Sequence, residues 1–154
     1  MGSSGETEVF FYHLERRTLE QVLPTLLERS LARGWRAAVQ AASEERVEAL
    51  NTLLWTYREE SFLPHGTARD GSPQAHPVYL TTTEENPNGA DVRFLVDGSE
   101  LADASPYARI VFVFDGRDAE AVERARAEWK AAKERGQAVS YWQQDENGRW
   151  QQKA

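Results

Sequence analysis

The chain has 154 residues, a formal net charge of −7 and no cysteine. A chain of that length suits one ordinary domain that buries about two-thirds of its unfolded surface, and the missing thiols exclude disulfides, thiolate zinc sites and cysteine nucleophiles. The acidic total, with a pI of about 5.0, opposes a phosphate backbone, so a role on DNA is expected to be indirect or to rest on a local patch.

Residues 1–6, including Met1-Gly2-Ser3-Ser4-Gly5, read as a flexible leader or expression remnant, and 7–154 as a single domain. No secretory pattern precedes it, and no stretch approaches the roughly 20 apolar residues of a bilayer span, so a cytoplasmic protein without membrane contact is expected. EVFFYHL (8–14) predicts a buried strand. Thr18 then opens a helical apolar spacing from Leu19 to Leu31, with Gln21 placed for a capping box. Pro24 falls inside that pattern, which predicts a late start near Glu20 or a kink. Gly34 ends the helix, and WRAAVQA (35–41) reads as a second strand. Ser43, with Glu44 and Glu45 behind it, begins a helix striped by Val47, Leu50 and Leu54 and ending near Trp55.

From Phe62 to Pro77 the composition turns to Gly, Pro, Ser, His and Asp, a loop of the length that often carries function. Strands follow at 78–82, 92–98 and 109–116, the last two ending in Asp-Gly. Asp118 caps a helix that reaches about Arg135 and stops at Gly136. Segments 138–144 and 149–153 flank Asp145-Glu146-Asn147-Gly148, a hairpin turn. The order predicts an α/β fold: a mostly parallel open sheet with helices on both faces, of mononucleotide-binding type.

The phosphate-cradling patterns of such folds are absent: there is no Gly-x-Gly-x-x-Gly after the first strand and no Gly-x-x-x-x-Gly-Lys-Ser/Thr. Asp97 and Asp115 stand at strand ends where a magnesium ion could sit, but Asp-Gly also simply turns a chain. His13, His65 and His76 have no metal-ligand spacing, and no serine sits in a nucleophile elbow. No cofactor is expected.

The helix 118–136 carries the strongest pattern. Val122, Ala125, Trp129 and Ala132 share a helical face and are expected to meet the sheet. Arg126, Lys130 and Lys133 line up beside them at i, i+4 and i+7. Between 124 and 135, Arg124, Arg126, Lys130, Lys133 and Arg135 face only Glu128 and Glu134. Cations suit a helix C-terminus through its dipole alone, yet a basic row beside an apolar site also suits an acidic peptide with an apolar end. Apolar candidates come from LLWTYREESFLPHG (53–66), where Trp55, Tyr57, Phe62 and Leu63 stand among charges.

With VFFYHL, LWTYREESFLPHG and ARAEWKAAKERG in this order, the chain resembles the chi subunit family of bacterial DNA polymerase III along nearly its whole length. The resemblance implies a non-catalytic accessory subunit of a nucleotidyltransferase holoenzyme acting in DNA replication. Such a subunit binds the acidic, phenylalanine-ended tail of single-stranded DNA-binding protein and reaches the clamp loader through a small partner, psi; it meets DNA only indirectly. It places the tail-binding arginine at Arg126, its neighbours at Trp129 and Lys130, and the family's further aromatics at Trp55 and Phe62. A lysine one turn before the arginine in the family is Val122 here, and Arg124 is the candidate to supply its charge.

The expected site therefore has Arg126, Lys130, Arg124 and Lys133 for the carboxylates, with Trp55, Phe62 and Trp129 lining a pocket for the terminal ring. Trp129 reads both as sheet-facing and as the floor of that pocket, and Trp55 and Phe62 read equally as core. The rival functions are a small nucleotide- or magnesium-dependent α/β enzyme at Asp97 and Asp115, and direct binding of single-stranded DNA.

Overall fold

The computed structural model describes residues 7–57 and 64–154. Eight strands form one open sheet in the order β3-β4-β2-β5-β6-β1-β7-β8. They are β1 (Glu8–Leu14), β2 (Ala37–Gln40), β3 (Gly66–Thr67), β4 (Val78–Thr81), β5 (Val92–Leu95), β6 (Arg109–Asp115), β7 (Ala138–Gln144) and β8 (Trp150–Gln152), with helices α1 (Leu19–Ala32), α2 (Glu44–Thr56) and α3 (Ala119–Glu134). All neighbours pair in parallel except β7 with β8, which the Asp145–Gly148 turn joins as an antiparallel hairpin.

Crossover handedness puts the helices on two faces. The chain moves one way along the sheet through β1-α1-β2 and β2-α2-β4, then the opposite way through β6-α3-β7. Right-handed crossovers therefore place α1 and α2 on one face and α3 on the other. The packing agrees, because alternate residues of a strand point to opposite faces. Tyr12 and Leu14 of β1 join a core with Leu23, Leu27, Leu50 and Leu54 of α1 and α2. Val9 and Phe11 join Ala125, Ala132 and Trp129 of α3.

The capping expectations hold. Thr18 and Gln21 form a capping box at α1, Ser43 caps α2, and the Asp118 carboxylate accepts from Glu120 and Ala121 at α3. Both α1 and α3 end the same way: Gly34 (φ 84) and Gly136 (φ 77) take the left-handed conformation. The next amide then reaches back, Trp35 to Ser30 O and Gln137 to Ala132 O. Trp35 is thus part of a helix stop, and the second strand is shorter than the sequence suggests. Pro24 was expected to delay or kink α1. The helix starts at Leu19, one residue from that expectation, and continues past Pro24, which is buried with Leu23 and Leu26. Packing offsets the one backbone hydrogen bond that proline removes.

No helix returns the chain from β4 to β5 or from β5 to β6. Their links cover Ala38, Leu95 and Ile110 on the α3 face with Ala90, Leu101, Ala104 and Tyr107. The fully buried Arg93 holds these links. Its guanidinium donates to Gln40 Oε1 (2.9 Å), Glu85 O (2.9 Å), Thr83 O and the Tyr107 hydroxyl (3.1 Å). No carboxylate pairs with it among the described residues; neutral acceptors satisfy the charge instead. Within the long loop the structure has β3 and two 3-10 turns, Ala68–Asp70 and Pro73–Ala75, where the sequence suggested irregular chain.

Candidate functional site

α3 lies over β6, β1 and β7 because Ala125 and Ala132 are small enough to let its backbone approach the sheet. Trp129 fills the space between them. Its ring meets Phe11 edge-on at 5.5 Å and Tyr141 at 6.0 Å. The sheet-facing reading of Trp129 holds, and its indole is only partly covered.

Arg126 and Lys130 are exposed and make no ion pair or hydrogen bond among the described residues. Lys133 stands 5.5 Å from the Trp129 ring centre, a cation–π contact on the same flank. The positive charge of Arg126 reaches the Tyr141 hydroxyl: burial raises the Tyr141 pKa, and Arg126 works against that rise. Tyr141 bonds His13 Nδ1 at 2.5 Å, and His13 Nε2 lies 2.9 Å from Glu15, off the line of a well-formed hydrogen bond. Phe114 closes the group, 5.2 Å from the His13 ring and 6.1 Å from that of Tyr141. Tyr141, His13 and Phe114 escape a sequence reading because they come from three strands. The register His13↔Phe114 and Phe11↔Tyr141 brings them together. Gly116 makes room for the histidine, since a Cβ there would lie 1.8 Å from His13 Nε2.

Arg124 does not join this row. Two positions along a helix turn a side chain through about 200°, and Arg124 points to the opposite flank, against Gly98. There it lines a cavity of about 390 Å³ at the carboxyl ends of β5, β6 and β1, with Leu14, Leu95, Phe112 and Glu128. Burial raises the Glu128 pKa; Arg135 opposes the rise and Glu100 adds to it. Asp97 and Asp115 border the same cavity, each taken by an arginine: Arg46 at 3.1 Å from Asp97 and Arg117 at 3.2 Å from Asp115. Among the described residues, no group of three or more His, Asp and Glu side chains could hold a metal ion.

Trp55 is not part of the α3 surface. It sits on α2, on the other face of the sheet and toward the β3–β4 edge, 57% exposed, with its ring 4.9 Å from His65. Among the described residues Trp55 and Arg126 therefore share no pocket, because the crossovers carry α2 and α3 to opposite faces. Phe62 lies outside the described residues.

A family model described as DNA polymerase III chi subunit, HolC, matches residues 7–140. A protein named as a probable DNA polymerase III subunit chi, from Rickettsia prowazekii (strain Madrid E), is 27% identical over 103 residues. That alignment covers 67% of this chain and 62% of the relative, so the chain spans under two-thirds of the relative's length. The matched segment runs from the start of the described sheet into β7 and includes all three helices and the whole α3 cation row. The chain belongs to the DNA polymerase III chi subunit family.

Proposed function

We propose that this protein is a non-catalytic accessory subunit in DNA replication that binds the acidic C-terminal tail of single-stranded DNA-binding protein and links it, through a psi partner, to the clamp loader. The observation that carries the reading is the row of Arg126, Lys130 and Lys133 on one flank of α3, the first two free of ion pairs among the described residues. Cations that spend no charge on internal partners are available to a ligand's carboxylates, and an Arg fork suits a terminal carboxylate in particular. The partly covered rings of Trp129, Tyr141 and Phe114 beside them offer apolar contact to the tail's last side chain. Trp55 lies on the other face of the sheet and is not included in this proposed site.

The test is a titration of a labelled acidic tail peptide against the full chain and its Arg126→Glu variant. The expected result is a loss of at least tenfold in affinity, with binding that weakens as salt rises. Equal affinity of the two proteins removes the α3 row from the site.

A further inference from the structure

A second basic and aromatic surface lies on the opposite face of the sheet, past the flank of α1. Helix α1 makes its main contacts with β2 and β6, and α2 with β3 and β4. Among the described residues, neither helix has its main contacts with β7 or β8 on that face, while α1 covers Tyr12 and Leu14 of β1. Phe10 and Tyr12 of β1, Trp142 of β7 and Trp150 of β8 form a continuous row. Phe10 stacks on Trp142 at 5.9 Å, Trp142 on Tyr12 at 6.3 Å, and Tyr12 meets Trp150 at 4.6 Å. The pairings Tyr12↔Trp142 and Gln144↔Trp150 put these rings on one face. A hydrogen bond from Trp142 Nε1 to Ser140 Oγ, 2.9 Å, fixes the central indole. Both Trp142 and Trp150 are partly exposed, and both lie beyond residues 7–140 of the family match.

Guanidinium groups border the row. Arg109 lies over Phe10 at 3.9 Å and over Trp35 at 5.0 Å, and Arg33 covers Trp35 at 3.9 Å. Arg29, Arg33 and Arg109 surround a crevice of about 60 Å³ beside Tyr12, with no carboxylate in its lining. Arg109 pairs with Glu8 at 2.9 Å, whereas Arg29 and Arg33 have no ion pair among the described residues. The α1 dipole favours cations at Arg29 and Arg33, but it does not account for Arg109, which comes from the sheet. The positive charge is local, on a chain of net charge −7.

We infer that this face binds single-stranded nucleic acid, with phosphates at Arg29, Arg33 and Arg109 and bases stacked on Trp142, Trp150 and Trp35. Single strands are held without sequence preference by this combination of a basic track and aromatic faces. Rings laid across a sheet suit stacking of flat bases, whereas an acidic peptide with an apolar end needs a hollow. The surface is distinct from the α3 row, so either can fail without the other. Repulsion from the acidic remainder makes the interaction salt-sensitive and confines it to low ionic strength.

The experiment titrates the full chain with fluorescently labelled dT20 at low salt, following anisotropy and intrinsic tryptophan emission, since three of the five tryptophans lie here. The expected result is binding with quenched emission and a tenfold weaker response from a duplex of the same length. Arg29→Glu/Arg33→Glu and Trp150→Ala should each lose at least tenfold, and Trp150→Phe should recover most of the loss. Arg126→Glu should bind dT20 normally. Circular dichroism melts confirm that the variants are folded; both arginines are exposed and Trp150 is on an edge strand. Absence of dT20 binding, equal binding by the double variant, equal competition by duplex, or loss with Arg126→Glu would each overturn the inference. Displacement of dT20 from this face by an acidic peptide would overturn it too.

Discussion

Trp129 meets Phe11 edge to face, with planes inclined at 62°, so the indole amid the α3 cations is anchored to the sheet. In the proposed tail site it would be a fixed wall, with Arg126 and Lys130 as the parts that adapt. The two kinds of residue should separate in mutagenesis. Trp129→Ala is expected to cost about 2–4 kcal/mol of folding stability through the cavity it leaves. Arg126→Glu should stay within about 0.5 kcal/mol of wild type. Urea unfolding of both variants checks this; equal stability losses would contradict the assignment.

Trp55 offers a contrasting case. It is more than half exposed and lies on the opposite face, so Trp55→Ala should lower stability by no more than about 1 kcal/mol. It should leave tail-peptide affinity unchanged if the α3 row is the tail site. A parallel drop in affinity for Trp55→Ala and Arg126→Glu would show that one ligand spans both faces.

Arg93 should be among the least replaceable residues. Arg93→Met fills much of the same volume but strands Gln40 Oε1, the Thr83 and Glu85 carbonyls and the Tyr107 hydroxyl without their donor. The expected cost is about 3–5 kcal/mol, the range for breaking a buried charged network. Chemical denaturation measures it, and hydrogen exchange should show the 82–91 and 96–108 links opening first.

Acid sensitivity should centre on the amino end of α1. Burial would raise the Glu20 pKa, but the helix N-terminal backbone and the Arg46 guanidinium at 2.6 Å outweigh it, and the pKa falls below its ordinary 4.5. Asp115 is lowered as well, first by the Arg117 backbone amide. Groups lowered in the fold stabilise it fully above their unfolded pKa, and that stability is lost as pH falls through the folded value. Glu20→Gln should therefore flatten the decline below about pH 4.5. Glu128 has the opposite sign. Its raised pKa means that its ionised form opposes folding at neutral pH, so Glu128→Gln should stabilise at pH 7 and lose that advantage as pH falls. Thermal melts from pH 3 to 7 (about the range where carboxyl groups titrate) check both directions.

Local chemistry was readable in the sequence wherever one segment decided the outcome. Thr18 with Gln21, Asp118, Gly34 and Gly136 mark helix ends through interactions a few residues long, and the dense apolar runs in β1 and β6 mark buried strands. Pro24 shows only its local cost in the sequence, because the burial of its ring depends on the rest of the fold. The two-residue strand β3 has no pattern to detect. The separation of Trp55 from Arg126 was illegible for another reason. Each motif is clear alone, but their mutual position depends on the direction in which each crossover travels along the sheet. The grouping of His13, Phe114 and Tyr141 likewise needs the register of three strands.

The placement of β1 has a bearing on biosynthesis. Its hydrogen-bonding neighbours are β6 and β7, so a ribosome releases this segment long before either flank exists. Until residue 115 has emerged, a strongly apolar ribbon waits with both edges open, and one edge stays open until residue 144, a template for wrong pairing. Loop-closure entropy makes such distant partners slow to find, so refolding should be slow for the chain's size and prone to clumping at high concentration.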